Sequence, residues 1–197
     1  MILFSAAGVL PSDFRAKQGG WLFLGMLLTF FLSSLLLYAL YAISRRDDPY
    51  SSATLPWSFL TSTVCLVLIS GLVHWATRSI RRDRFVQTTA LLSASTLAAI
   101  VFLGIQVVAM SQMLQETTLQ AGNGRGLVGM VVVLAFLHAL HVAGGVIALG
   151  IVAVRSAMGK YDHERHFAVD FSAQYWHFLD IIWIAMLAAF WYTTGGF

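Results

Sequence analysis

Four long stretches of this sequence contain no Asp, Glu, Lys or Arg, and a fifth contains a single carboxylate. The four are residues 18–44, 49–77, 85–115 and 126–154, and the fifth is residues 171–197, where only Asp180 is charged. A helix needs about 20 mostly apolar residues to cross a bilayer. With 11% charged residues against the roughly 25% of ordinary soluble domains, the chain is predicted to lie in a membrane rather than in water.

The stretches predict helices rather than barrel strands, because they lack the alternation of apolar and polar residues that barrel strands show. The predicted fold is all-α, one integral membrane bundle of five transmembrane helices within a single domain, residues 1–197. The predicted spans are residues 21–43, 57–77, 88–114, 127–154 and 174–194. Residues 1–10 are interpreted as a retained N-terminal segment rather than a signal peptide, because they lack a basic n-region and are followed by Pro11 and Asp13. Residues 155–173 are expected to form a solvated loop.

Basic residues are distributed unequally between the two sides that five spans define. Nine lie on the side of the N-terminus and three on the other, Arg45, Arg46 and Arg125. The nine are Arg15, Lys17, Arg78, Arg81, Arg82, Arg84, Arg155, Lys160 and Arg165. Because cytoplasmic loops carry the excess of Lys and Arg, the N-terminus is predicted to be cytoplasmic and the C-terminus outside. These charges sit in short loops, which does not favour a nucleic-acid-binding surface.

Few polar side chains fall inside the predicted spans, and each is a candidate for a structural or functional role because polarity is costly in hydrocarbon. His138 and His141 are three residues apart and therefore share a helix face. They are interpreted as neutral histidines hydrogen-bonded between helices, and Gln106 as a further member of a polar core. Two histidines on one side of one helix cannot provide opposite axial ligands to a haem.

His74 and His177 are predicted to lie at the same depth, near the cytoplasmic ends of their spans. Two uses are open. They could hold a b-type haem between two helices, or they could join Trp75, Arg78 and Trp176 in a polar band that meets a phospholipid headgroup.

Asp180 lies three residues after His177, on the same helical face. A structural His–Asp pair that holds the last helix in the bundle is one interpretation, and proton transfer is the other. Cys65 is the only cysteine, so the chain offers no internal disulfide. With no phosphate-binding loop, zinc-ligand spacing or nucleophile–base arrangement, catalysis by this polypeptide alone has almost no support.

Two segments then point to a family. Residues 137–145, LHALHVAGG, resemble the histidine-rich FHGLHV helix of subunit III of the haem-copper terminal oxidases, and residues 175–184, YWHFLDIIWI, resemble that family's last-helix YWHFVDVVW. Weaker similarities lie in GGWLFLG at 19–25, LISGLVHWA at 68–76 and FLGIQ at 102–106. The resemblance covers all five spans and is closest to the short, five-helix bacterial form.

The resemblance implies a bundle beside the catalytic subunit I and subunit II in a bacterial cytoplasmic membrane. It implies bound phospholipid, no cofactor in this chain, and haems and copper in the partner subunits. The implied roles are stabilisation of the catalytic subunit and support of its proton uptake during aerobic respiration, with cytochrome c or quinol as the electron donor.

Two positions depart from the family pattern. Leu27 and Ala109 stand where relatives usually carry carboxylates, so proton buffering or carbodiimide reactivity at those positions is expected to be absent. The departures leave open a related accessory protein of nitric oxide reductase. A self-contained haem b electron carrier that uses His74 and His177 is the remaining alternative.

Overall fold

The computed structural model describes residues 11–45, 57–119, 125–161 and 167–194. These residues form five helices and, across the described ranges, no strand. The helices are α1 Pro11–Ser44, α2 Ser58–Ile80, α3 Phe85–Leu119, α4 Arg125–Ala157 and α5 Phe167–Thr194. All five are long and apolar enough to cross a membrane. The predicted all-α fold with five spanning helices is confirmed, while the prediction for residues 1–10 lies outside the described residues.

The helices extend beyond the predicted spans. α1 begins at Pro11 rather than at residue 21, and α5 begins at Phe167 rather than at residue 174. The loop expected at residues 155–173 is wrong for much of its length, because α4 runs to Ala157 and α5 starts before the apolar stretch. Apolarity marks only the part of a helix inside hydrocarbon. Pro11 suits a first helical turn, and Asp170 in the first turn of α5 complements the helix dipole.

Four helices form a closed ring. α2 packs against α3, α3 against α4, α4 against α5, and α5 against α2. α1 lies outside this ring and contacts α5 and α4, with no contact to α2 or α3 in the described residues. α1 and α5 run parallel: Phe23 meets Tyr175 near their beginnings, and the Tyr38 and Thr193 hydroxyls lie 2.5 Å apart near their ends.

α1 touches the bundle along one narrow stripe. Its buried residues are Leu24, Phe31, Tyr38 and Ala42, spaced at seven, seven and four residues, which keeps them on one helix face. The remaining faces expose large apolar side chains such as Trp21, Leu36 and Ile43. Such faces suit lipid or apolar protein neighbours, so α1 is the helix that is least integrated into the bundle.

α2 and α4 end in the same way. Asp83 and Gly159 have positive φ values of 56° and 66°, and in each case the next residue donates its backbone N–H to a carbonyl five positions earlier. This is the Schellman arrangement, which satisfies carbonyls at a helix end. Glycine adopts a positive φ at little cost because it has no Cβ atom. Asp83 has a Cβ atom and adopts the same conformation at a higher steric cost. Both caps lie at the arginine-rich end of the bundle, called the basic end below, where α1, α3 and α5 begin.

Candidate functional site

A group of polar side chains joins α2 to α5 near the basic end. This terminal cluster consists of Ser70, His74, His177 and Asp180. Ser70 Oγ lies 2.7 Å from His177 Nδ1, and Asp180 Oδ2 lies 3.7 Å from the same nitrogen. The rings of His74 and His177 are 6.3 Å apart. The two histidines, predicted to lie at the same depth, are therefore also close to each other. Through His177, the cluster links the Asp180 carboxylate of α5 to the Ser70 hydroxyl of α2.

A groove of about 400 Å³ opens beside the terminal cluster. It is lined by His74, Thr77, Arg78, Arg81, Asp170, Ala173, Gln174 and His177. At its mouth Arg81 Nη2 donates to both oxygens of Asp170, at 3.2 and 3.1 Å, which ties α2 to α5 a second time. Arg81 is 61% exposed, so water and salt screen this ion pair.

The structure separates the five residues of the predicted lipid-facing band. His74, Arg78 and His177 line the groove together. Trp75 is exposed on another side of α2, beside a second pocket of about 340 Å³ that also holds Arg78, Arg82 and Arg84. Trp176 is 1% exposed and packs toward Gly145 of α4. The prediction grouped these residues because they lie at equal depth in the membrane. Neighbouring residues of a helix point about 100° apart, however, so Trp75 and Trp176 face away from the groove that His74 and His177 line.

Asp180 is almost fully enclosed, with 8% of its surface exposed. It lies beside His177, as the three-residue spacing predicts. Its Oδ1 atom has no hydrogen-bond partner among the described residues. Both members of the pair lie on α5, and Ser70, which lies 2.7 Å from His177, carries the interaction to α2.

A second group of side chains occupies the middle of the ring and is organised by Trp183. Its indole packs edge-on against Phe59 and Phe102 and stacks on His138, with ring centroids 5.4 Å apart. Its Nε1 donates to Thr63 Oγ1 at 3.0 Å. One side chain of α5 thus contacts α2, α3 and α4. Sequence reasoning did not single it out, although its place three residues after Asp180, on the same helix face, was an available signal.

The histidines of α4 behave differently from the interpretation drawn from sequence. His141 Nδ1 lies 2.7 Å from the carbonyl of Leu137, so its bond is within its own helix, and its ring packs against Phe31 of α1. His138 is fully buried, and neither ring nitrogen has a partner in the described part of the chain. Side-chain hydrogen bonds from these histidines to neighbouring helices are therefore not found there.

Gln106 on α3 is likewise fully buried, and both its amide nitrogen and its amide oxygen lack partners among the described residues. Gln106, His138 and Trp183 are called the central cluster below. Across residues 11–45, 57–119, 125–161 and 167–194, no group of three His, Cys, Asp or Glu side chains is placed to hold a metal ion. The clusters can orient helices and bind polar headgroups. Ser70 Oγ and Asp180 Oδ2 both approach Nδ1 of His177, whereas a catalytic triad has its hydroxyl and its carboxylate on opposite ring nitrogens.

The groove around His74 and His177 is a poor match to a porphyrin. A haem buries two broad apolar faces, whereas Ala173 is the one apolar side chain in the groove lining. The other lining residues carry hydroxyl, imidazole, amide, carboxylate or guanidinium groups. This chemistry suits an ionic headgroup better than a macrocycle.

Residues 19–194 match the family described as cytochrome c oxidase subunit III. The chain is 29% identical over 142 residues to cytochrome c oxidase subunit 3 of Marchantia polymorpha, a match that covers 71% of this chain and 51% of the relative. It is 40% identical over 55 residues to the probable cytochrome c oxidase subunit 3 of Mycobacterium bovis, covering 28% of this chain and 27% of the relative. The chain spans about half the length of the plant relatives it matches.

Proposed function

The chain belongs to the cytochrome c oxidase subunit III family, and from that premise we propose that it is the non-catalytic subunit III of a proton-pumping haem-copper terminal oxidase. The observation that carries the proposal is the extent of the family match, which begins in α1 and ends with α5. Its proposed work is to stabilise the catalytic subunit and to support proton uptake during aerobic respiration.

The proposed location is a bacterial cytoplasmic membrane, with the basic end in the cytoplasm. Arg78, Arg81, Arg82 and Arg84 are all exposed at that end, and positive charge favours the cytoplasmic side. Exposed tryptophans support the placement of the membrane boundaries: Trp21 and Trp75 lie toward the basic end, and Trp57 and Trp191 toward the other.

The proposed partners are the catalytic subunit I and subunit II, which would hold the haems and copper. α1 supports a docking role, because its exposed apolar faces can be covered by another membrane helix as readily as by lipid. Within the chain, the terminal cluster fixes α5 to α2, and we propose that Asp180 serves this assembly rather than a proton pathway.

Phospholipid is the proposed small-molecule ligand. His74, Arg78 and His177 line one groove at the membrane boundary, and an anionic headgroup there would meet imidazole and guanidinium donors. Arg78→Gln should reduce the phospholipid retained by the purified complex, as measured by mass spectrometry of extracted lipid. Arg15→Gln, at an exposed position outside the groove, is the matched control.

The test of the whole proposal begins with an absorption spectrum. The purified chain should show no Soret band, whereas the complex isolated through a tag on this chain should show the bands of haem and copper centres. A stoichiometric haem band in the chain alone would reject the subunit III assignment and favour a haem b electron carrier that uses His74 and His177.

The same tagged preparation separates the two reductase complexes. Oxygen consumption with cytochrome c or quinol supports the oxidase and identifies its electron donor. Nitric oxide consumption without oxygen consumption would instead make the chain a subunit III-like accessory protein of nitric oxide reductase.

A further inference from the structure

The contact between α3 and α4 has a regular register along its whole length. Near the basic end, the hydroxyls of Thr89 and Ser156 lie 2.8 Å apart, and two turns further a Cβ on Gly150 would lie 3.7 Å from Thr96. These two contacts set the approximate register of the antiparallel helices, and the pattern of buried residues completes it.

Within residues 85–115, where the burial of α3 is described, eight residues are buried, and each has a buried residue at the matching level of α4. From the basic end the pairs are Thr88 with Ser156, Leu92 with Val152, Ser95 with Leu149, Ala99 with Gly145, Phe102 with Val142, Gln106 with His138, Ala109 with Ala135, and Met113 with Val131. The two residue numbers of each pair have the same total. Gln106 and His138 are therefore level with each other and on the inward faces of neighbouring helices.

This polar pair lies deep in the membrane. His138 is 13 residues from the first residue of α4, and Gln106 is 13 residues from the last residue of α3, which places both about 20 Å from the end of the bundle opposite the basic end. Hydrocarbon offers no solvent to satisfy polar atoms at that depth. Yet two ring nitrogens and two amide atoms have no partner among the described residues.

The surroundings determine where those polar atoms can point. His138 stacks on Trp183 at an interplanar angle of 29°, so its nitrogens, which lie in the ring plane, point along the indole surface rather than into it. Trp183 already donates to Thr63. The next layer away from the basic end is Ala109 opposite Ala135, two small and fully buried side chains that offer no polar partner.

We propose that Gln106 and His138 form a binding site for buried water between α3 and α4. A neutral imidazole has one donor and one acceptor nitrogen, and an amide has a donor nitrogen and an acceptor oxygen. A direct bond between the two side chains uses one atom of each and leaves the others unsatisfied. A water molecule makes about three hydrogen bonds in a polar pocket, and proteins hold roughly one buried water per 27 residues.

Water at this site would join the two helices through polar contacts that neither side chain makes alone. It would favour the observed register, because sliding α3 by one turn would move Gln106 away from His138 and leave both facing apolar layers. The site is separate from the terminal cluster, whose two histidines line the groove.

A double-mutant cycle tests whether the two side chains share a site. Gln106→Leu or His138→Leu alone should shorten the thermal half-life of the purified complex about tenfold, because each leaves the other side chain with fewer partners. The double variant should be no worse than the single variants. Gln106→Leu combined with His141→Leu is the matched control, for which additive effects are expected. Additive effects for Gln106 and His138 would overturn the proposal.

A density map of the intact complex, at a resolution that shows ordered water, tests whether water occupies the site. The expected result is a water peak within 3.5 Å of both the Gln106 amide and the His138 ring. A direct Gln106–His138 bond without a peak, or side chains bonded to different helices, would overturn the proposal even if the variants fail to assemble.

Discussion

The terminal and central clusters place similar residue types in different surroundings. In the terminal cluster, His177 has a hydroxyl at 2.7 Å and a carboxylate at 3.7 Å, and it lines an open groove. In the central cluster, His138 is enclosed by aromatic rings of α1 and α5. A polar side chain near a membrane boundary can form hydrogen bonds with water, headgroups or other side chains. A polar side chain in the middle of the membrane depends on the few side chains and buried waters within reach.

α5 contributes to both clusters within one turn, since Asp180 and Trp183 are three residues apart. The difference therefore lies in depth and in neighbours rather than in the helix that carries them. We therefore expect the stability of the protein to change little when a residue of the terminal cluster is replaced by another polar residue. We expect it to change strongly when the side-chain volume in the central cluster is altered.

The largest effect is expected for Trp183→Ala, because the indole contacts three other helices and is fully buried. Loss of such a side chain costs about 3–5 kcal/mol of folding free energy. Recovery of assembled complex on native gels should fall sharply. Trp191→Ala on the same helix, at a position 56% exposed, should leave recovery nearly unchanged; equal losses for the two variants would contradict the central role of Trp183.

A smaller effect is expected for Gly145→Leu, where α4 approaches α5 between the two clusters. A Cβ there would already lie 3.0 Å from Tyr175 and 3.3 Å from Trp176, so overpacking should cost about 1–3 kcal/mol. Gly144→Leu is the matched control, since a Cβ at that position meets nothing within 4 Å. The thermal midpoint of the complex measures both, and a larger decrease for the Gly144 variant would reject the packing described.

Asp180→Asn should have a moderate effect, about 1–2 kcal/mol, because asparagine keeps the shape but can replace the carboxyl oxygen that faces His177 with an amide group. The expected result is weaker association of the chain with the catalytic subunit, with turnover per intact complex preserved. Native gels and oxygen consumption measure the two quantities separately. Unchanged assembly with collapsed turnover would instead indicate a role in proton transfer.

The smallest effect is expected for Arg81→Gln, which removes the ion pair with Asp170 at the mouth of the groove. Exposed ion pairs contribute about 1 kcal/mol or less. The decrease in thermal midpoint should be small in dilute buffer and should vanish at 1 M salt, where screening weakens the pair in the unmodified protein too. A decrease that persists at high salt would mean that the Arg81 stem contributes through packing.

Much of the fold could be predicted because membrane insertion depends on local composition. Charge-free stretches gave five helices, and the three-residue spacing gave the common face of His177 and Asp180. Helix ends were predicted less well, since α1 and α5 continue into regions where water or headgroups can satisfy polar side chains. Pro11 and Asp170 lie outside the predicted spans, although both suit a first helical turn.

The candidate sites were predicted only in part, because sequence gives the depth of a side chain more directly than its direction. His74 and His177 were expected at the same depth, and their ring centroids lie 6.3 Å apart. Trp176 was assigned to the same band and lies in the core, against Gly145. The link from His177 to Ser70 and the hydrogen bond from Trp183 to Thr63 join residues more than 100 positions apart, so no local pattern could have revealed them.

The sequence by itself determined that this protein is a membrane bundle of five helices and showed to which family it belongs, because hydrophobic length and motif residues are properties of the chain. Only the tertiary structure decided which polar side chains find partners. Hydrogen bonding and close packing depend on distances of a few ångströms between helices, and the arrangement of four helices in a ring with α1 outside sets those distances.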